Sequence, residues 1–128
     1  MYVEMKHIYK KYGDFLASDD VSFDIEKGKL VALLGPSGSG KTTLLRMIAG
    51  LEDPNEGDIY IDGKRMNDIP ASKRGIGFVF QNYALFRYMT VFDNVAFGLE
   101  LQKMPKRQIK ERVTELLKLT GLSGMEKR

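Results

Sequence analysis

The chain has 128 residues, with 43% hydrophobic and 29% charged side chains, which is an ordinary globular composition. Its 20 basic and 17 acidic residues leave a net charge of only +3 and are interspersed, so there is no basic stripe of the kind that tracks nucleic acid. With no cysteine and a single histidine, His7, the sequence excludes a disulfide framework and thiolate or histidine metal centres.

Residues 2–10 alternate in polarity and predict a strand, closed by a turn at Lys11-Tyr12-Gly13-Asp14. Val21, Phe23 and Ile25 fall on one face of a second predicted strand, 20–26. After a Lys27-Gly28-Lys29 turn, Leu30 to Leu34 are wholly apolar, the pattern of a central parallel strand covered on both faces. A glycine-rich loop follows, then a predicted helix over 40–50 that Gly50 ends. Pro54 to Gly57 reads as a turn, 58–61 as a strand, and Asp62-Gly63 as hairpin chemistry. Residues 67–74 are polar and irregular, and 75–80 form a second apolar strand ending at Gln81. From Asn82 the chain becomes aromatic and helical. Thr90 with Asp93 resembles a helix start. A second amphipathic helix is predicted over 105–119, with Pro105 near its first position and Ile109, Val113, Leu116 and Leu117 on one face. Gly121 ends it. No stretch of about 18 apolar residues occurs, and the N-terminal residues lack an apolar leader core.

The chemistry concentrates in the loop. Gly35-Pro36-Ser37-Gly38-Ser39-Gly40-Lys41-Thr42 fits the phosphate-loop pattern at every fixed position, between an apolar strand and a helix. Successive backbone N–H groups in such a loop converge on phosphate oxygens, and the helix that follows turns its partly positive end toward them. Lys41 supplies a charge for the β- and γ-phosphates, and the Thr42 hydroxyl can ligate the Mg²⁺ that bridges them. Together with Thr43, these residues predict a nucleoside triphosphate site.

Three marks then resemble one family, the ATP-binding subunits of ABC transporters. They are the loop with its continuation Thr43-Leu44-Leu45-Arg46-Met47-Ile48-Ala49-Gly50-Leu51, the aromatic Tyr12 before Gly13, and Gln81 after Gly-Phe-Val-Phe. The resemblance implies a P-loop NTPase (α/β) fold. It has an N-terminal antiparallel β region, an ATP-binding half at 1–81 and the start of a helical subdomain at 82–128. It implies ATP and Mg²⁺ as cofactors, Tyr12 stacked on adenine, and Gln81 with Lys41 as catalytic groups, Gln81 reaching the metal or the attacking water. Transmembrane permease subunits would dock near Tyr83–Phe92, with Tyr83, Leu85, Phe86, Tyr88 and Met89 as candidates. The intact subunit would form a homodimer on the cytoplasmic face of the membrane, and no nucleic-acid partner is implied. The run from Asn82 to Leu99 resembles the sulfate/thiosulfate importer branch in particular.

The family's later motifs are not in the sequence: the Leu-Ser-Gly-Gly-Gln signature, the Walker B strand and the switch histidine. Leu122-Ser123-Gly124 imitates the signature, but Met125-Glu126 follows it. The resemblance therefore implies a sheet left incomplete, with open apolar faces prone to self-association, and an isolated chain that holds ATP without splitting it. A non-catalytic ATP-binding piece is one alternative. Another phosphate-loop kinase or GTPase is a second, although no Asn-Lys-x-Asp guanine motif occurs.

Overall fold

The computed structural model describes residues 2–36, 40–82 and 84–128. The chain divides into two compact units, Met1–Val79 and Phe80–Arg128.

In the first unit, β1 (Val3–Tyr12) lies between β2 (Phe15–Ile25) and β3 (Glu56–Ile61), and β4 (Lys64–Arg65) extends the far side. All pairings are antiparallel, from Val3 opposite Ile25 to Tyr12 opposite Phe15 on one side of β1. Asp62 and Gly63 both take positive φ, 51° and 78°, and make the tight turn that their sequence predicts. β2 starts five residues before the predicted strand, because its ladder with β1 continues to the hairpin tip.

Both ladders of β1 break register at His7, which adopts φ 52°. Its N–H donates to Ser22 Oγ at 2.8 Å, and its ring lies 2.8 Å from Asp20. Gly57 faces this bulge at φ 103°, where a Cβ would sit 2.4 Å from the His7 carbonyl oxygen. Only glycine serves there, for both torsion and space.

Helix α1 (Lys41–Ala49) buries Met47 against Met5, Ile8, Ile59, Ile61 and Met66 to make the core of this unit. Gly50 closes it in the left-handed conformation. The predicted strands at 30–34 and 75–80 are not found. Neither joins the sheet, and Leu30, Leu34 and Val79 are almost fully exposed. A parallel central strand needs hydrogen-bonding neighbours on both sides and cover on both faces. The sheet of the described residues is antiparallel and offers neither, so the apolar character of the two runs has nothing to act on. Within 75–80, Ile76 packs on the core.

In the second unit, α2 (Val91–Leu101) packs Ala96 on α3 (Lys106–Leu119), which contributes Ile109, Val113 and Leu117 of the predicted stripe, while the stripe's fourth member, Leu116, is half-buried and outside that cluster. Thr90 Oγ1 accepts the Asp93 N–H at 3.1 Å, the N-cap that its spacing indicates. Pro105 caps α3 from one position earlier than predicted. Leu122 N–H closes the other end on the Leu117 carbonyl at 2.7 Å. No helix among the described residues is long and apolar enough to cross a membrane.

Candidate functional site: the start of helix α1

The beginning of α1 is placed by one close approach. Gly40, with φ 88°, precedes the helix, and a Cβ there would lie 2.3 Å from the Ala17 carbonyl oxygen on β2. The glycine lets the strand and the helix end meet. Tyr12 belongs to the same end of the sheet. It pairs with Phe15, only two residues before Ala17 on β2.

Lys41 folds back on its own loop, donating to the carbonyl oxygens of Gly35 at 2.8 Å and Pro36 at 2.9 Å. The ammonium thus already sits among the atoms of the loop, held by neutral acceptors that an anion outcompetes. Thr42 is exposed and Thr43 half-buried at the helix end, where the first amide N–H groups have no partner within the helix. Ser37, Gly38 and Ser39 lie outside the described residues. Tyr12 is 43% exposed, so its ring has surface left to offer. Gln81 belongs to the second unit and is exposed.

The other end of α1 depends on a residue that sequence reasoning missed. Arg74 is 7% exposed, and four backbone carbonyls accept from its guanidinium: Met66 at 2.7 Å, Ile69 at 2.8 Å, Met47 at 2.9 Å and Ile48 at 3.1 Å. Two of these carbonyls end α1, where the helix dipole is negative. Burial holds the Arg74 guanidinium below its ordinary pKa, and the Asp53 carboxylate acts in the opposite direction.

The ABC transporter family pattern matches residues 18–128 of this chain. The chain belongs to the ABC transporter family. The sulfate/thiosulfate import ATP-binding proteins of Mycobacterium tuberculosis and Bacillus cereus are 57% and 54% identical to it, over 93% and 100% of its length. That of Synechocystis is 52% identical. The chain spans about a third of the length of these curated relatives: 34%, 37% and 36%. Among solved structures, a dimeric ATP-binding cassette in a post-hydrolysis state, bound to ADP and Pi, matches with a TM-score of 0.87 at 34% identity. The match covers 98% of this chain and 60% of that one. A second dimeric structure, described as a bacterial ABC transporter cassette, gives 0.88 at 33%. The fold is accordingly that of part of an ABC ATPase cassette, with its antiparallel β region and phosphate-loop helix in the first unit.

In this ABC chain the segment named for permease docking is organised by Asn94, another residue that sequence reasoning overlooked. Its side chain accepts from Phe86 N–H at 2.9 Å and donates to the Thr90 carbonyl at 2.9 Å. Phe86 packs on Phe97 with ring centroids 4.7 Å apart, so it is partly structural. Leu85 and Tyr88 are exposed, Met89 is half-buried, and Tyr83 lies outside the described residues.

Proposed function

We propose that this chain is the nucleotide-binding part of an ABC importer ATPase, holding ATP and Mg²⁺ at the start of α1. The observation that carries this reading is the Lys41 ammonium resting on the Gly35 and Pro36 carbonyls beside the Gly40 helix start. A lysine placed there, an exposed Thr42 and helix amides without an acceptor inside the helix make a donor set suited to a metal-bound triphosphate. Gly35 to Thr43 would hold the phosphates, Thr42 and Gln81 the metal, and Tyr12 the adenine face. When bound, Mg²⁺ neutralises charge on the phosphates. Lys41 adds a cation, and Gln81 is a neutral amide able to orient the attacking water.

Residues 1–81 would form the ATP-binding half and 82–128 the start of the helical subdomain. The whole subunit would dimerise on the cytoplasmic face of the membrane and couple ATP hydrolysis to uptake through permease subunits meeting Tyr83–Phe92. The dimeric state of the matching cassettes and the exposure of Leu85 and Tyr88 support this. Identity of 57% to a sulfate/thiosulfate importer subunit favours those anions as the solute. Unaltered uptake of labelled sulfate and thiosulfate in cells deleted for the gene would remove that assignment.

Calorimetric titration of the 128-residue chain with ATP·Mg²⁺ tests the site. Lys41→Ala is expected to weaken binding about ten- to a hundredfold, the loss of one charge-assisted contact. Equal affinity in the two proteins, or no binding by the wild type, would overturn the reading. The chain alone is further proposed to bind without turnover, since the signature and Walker B motifs are not in its sequence. Phosphate release that disappears in Lys41→Ala would show otherwise.

A further inference from the structure

The adenine reading of Tyr12 leaves open what holds the ring. A tyrosine at the tip of a hairpin, 43% exposed, would otherwise sample several rotamers and lose binding energy in being ordered. Lys10, two residues earlier on β1, shares its face of the strand. Its Nζ lies over the Tyr12 ring, 5.2 Å from the centroid. The lysine is itself pinned, with a side chain only 13% exposed: Nζ donates to the Asp53 carbonyl at 2.7 Å and meets Glu52 Oε2 at 3.3 Å.

The same loop grips the strand again. Lys11 N–H donates to Asn55 Oδ1 at 2.7 Å, and Asn55 N–H donates to the Tyr9 carbonyl at 2.8 Å. Residues 52–55 follow α1, and the Leu51 and Glu52 amides still bond to Arg46 of that helix, at 2.9 and 3.4 Å. The platform residue is thus tied through Lys10 to the element that begins with Lys41.

Building on the nucleotide reading above, we propose that Lys10 is a positioning residue for the base. Its ammonium, fixed by Glu52 and Asp53, occupies one face of Tyr12 and presents the other face to a purine ring. A ring has two faces, and a cation seated on one both restricts the rotamer and draws electron density from the other. That withdrawal lowers the repulsion between stacked π-clouds. Lys10 touches no phosphate in this scheme, so its contribution belongs to the base and not to the triphosphate.

That division supplies the test. Affinities for ATP and for inorganic tripolyphosphate, each with Mg²⁺, are measured on wild type, Lys10→Met, Lys10→Arg and Tyr12→Leu, with folding checked by circular dichroism. Lys10→Met is expected to weaken ATP about three- to fivefold and leave tripolyphosphate unchanged. Lys10→Arg restores ATP binding, and adding Lys10→Met to Tyr12→Leu costs nothing further. If Lys10→Met misfolds, Lys10→Gln, which keeps a donor without the charge, is expected to show the same split. ATP binding indifferent to Lys10, or equal weakening of both ligands, overturns the assignment and leaves the nucleotide site standing. Failure of wild type to bind either ligand overturns both.

Discussion

Replacing Arg74 with alanine is expected to destabilise the first unit by about 2 to 6 kcal/mol, the cost of two carbonyl acceptors left without a donor at about 1 to 3 kcal/mol each. The guanidinium is a fork that joins three separate pieces of chain: the last turn of α1, the exit of β4 at Met66, and Ile69 before the short helical turn at Ala71–Lys73. Two of the four carbonyls keep a second donor, since Gly50 N–H also reaches Met47 at 3.3 Å and Ile69 N–H reaches Met66 at 2.9 Å. The cost therefore falls below that of four orphaned acceptors, which at about 1 to 3 kcal/mol each would be comparable to the whole stability of a domain. Gly50 packs against the same group, for a Cβ at that position would meet Arg74 Nε at 2.7 Å. Arg74→Lys is expected to recover only part of the loss, because three donors on one nitrogen cannot span the carbonyls that a planar fork reaches. Urea unfolding followed by circular dichroism measures both variants. An Arg74→Ala transition within about 0.5 kcal/mol of wild type, the range of an ordinary surface change, would show that the network is incidental.

Arg74 also shows where reading the sequence stops. It ends a polar, irregular stretch, and nothing within 67–74 distinguishes a buried arginine from a solvated one. Its partners Met47 and Ile48 are 27 and 26 residues away. What could be read was local. The Thr90–Asp93 cap, the Asp62-Gly63 turn, the Ile109–Val113–Leu117 stripe and the glycine after α1 each depend on residues within one or two turns of one another. The apolar runs 30–34 and 75–80 failed for the complementary reason. Their composition states a preference for burial, but a strand forms only against other strands, and the sheet present is built from β1 to β4. At the candidate site, the motif residues could be named from spacing alone. The Ala17 contact, the carbonyls under Lys41 and the Lys10 clamp could not, since they join segments brought together by the hairpin and by the return of the chain after α1.

Alanine at Gly40 is expected to eliminate measurable ATP binding, a larger effect than losing the Lys41 ammonium itself. The substitution meets two obstacles at once. At φ 88° an L-residue pays about 1 to 2 kcal/mol for the left-handed conformation. The new Cβ would also stand 2.3 Å from the Ala17 carbonyl oxygen and 3.4 Å from its carbon. Both are backbone atoms of β2, so no side-chain rotation relieves the overlap, and crowding of this kind adds about 1 to 3 kcal/mol. The chain can escape only by moving β2 away or by letting the start of α1 slide. Moving β2 disturbs the strand that carries Phe15 opposite Tyr12; sliding α1 displaces Lys41 and Thr42. Either escape spoils the geometry proposed to hold the nucleotide. Gly28→Ala separates the two costs: it has φ 80° but nothing within 4 Å of the added Cβ, so it should lose only the conformational part, about 1 to 2 kcal/mol of stability, and bind ATP normally. Calorimetry on the pair decides the matter. Gly40→Ala binding ATP within about threefold of wild type would mean that the strand–helix contact has no part in shaping the loop.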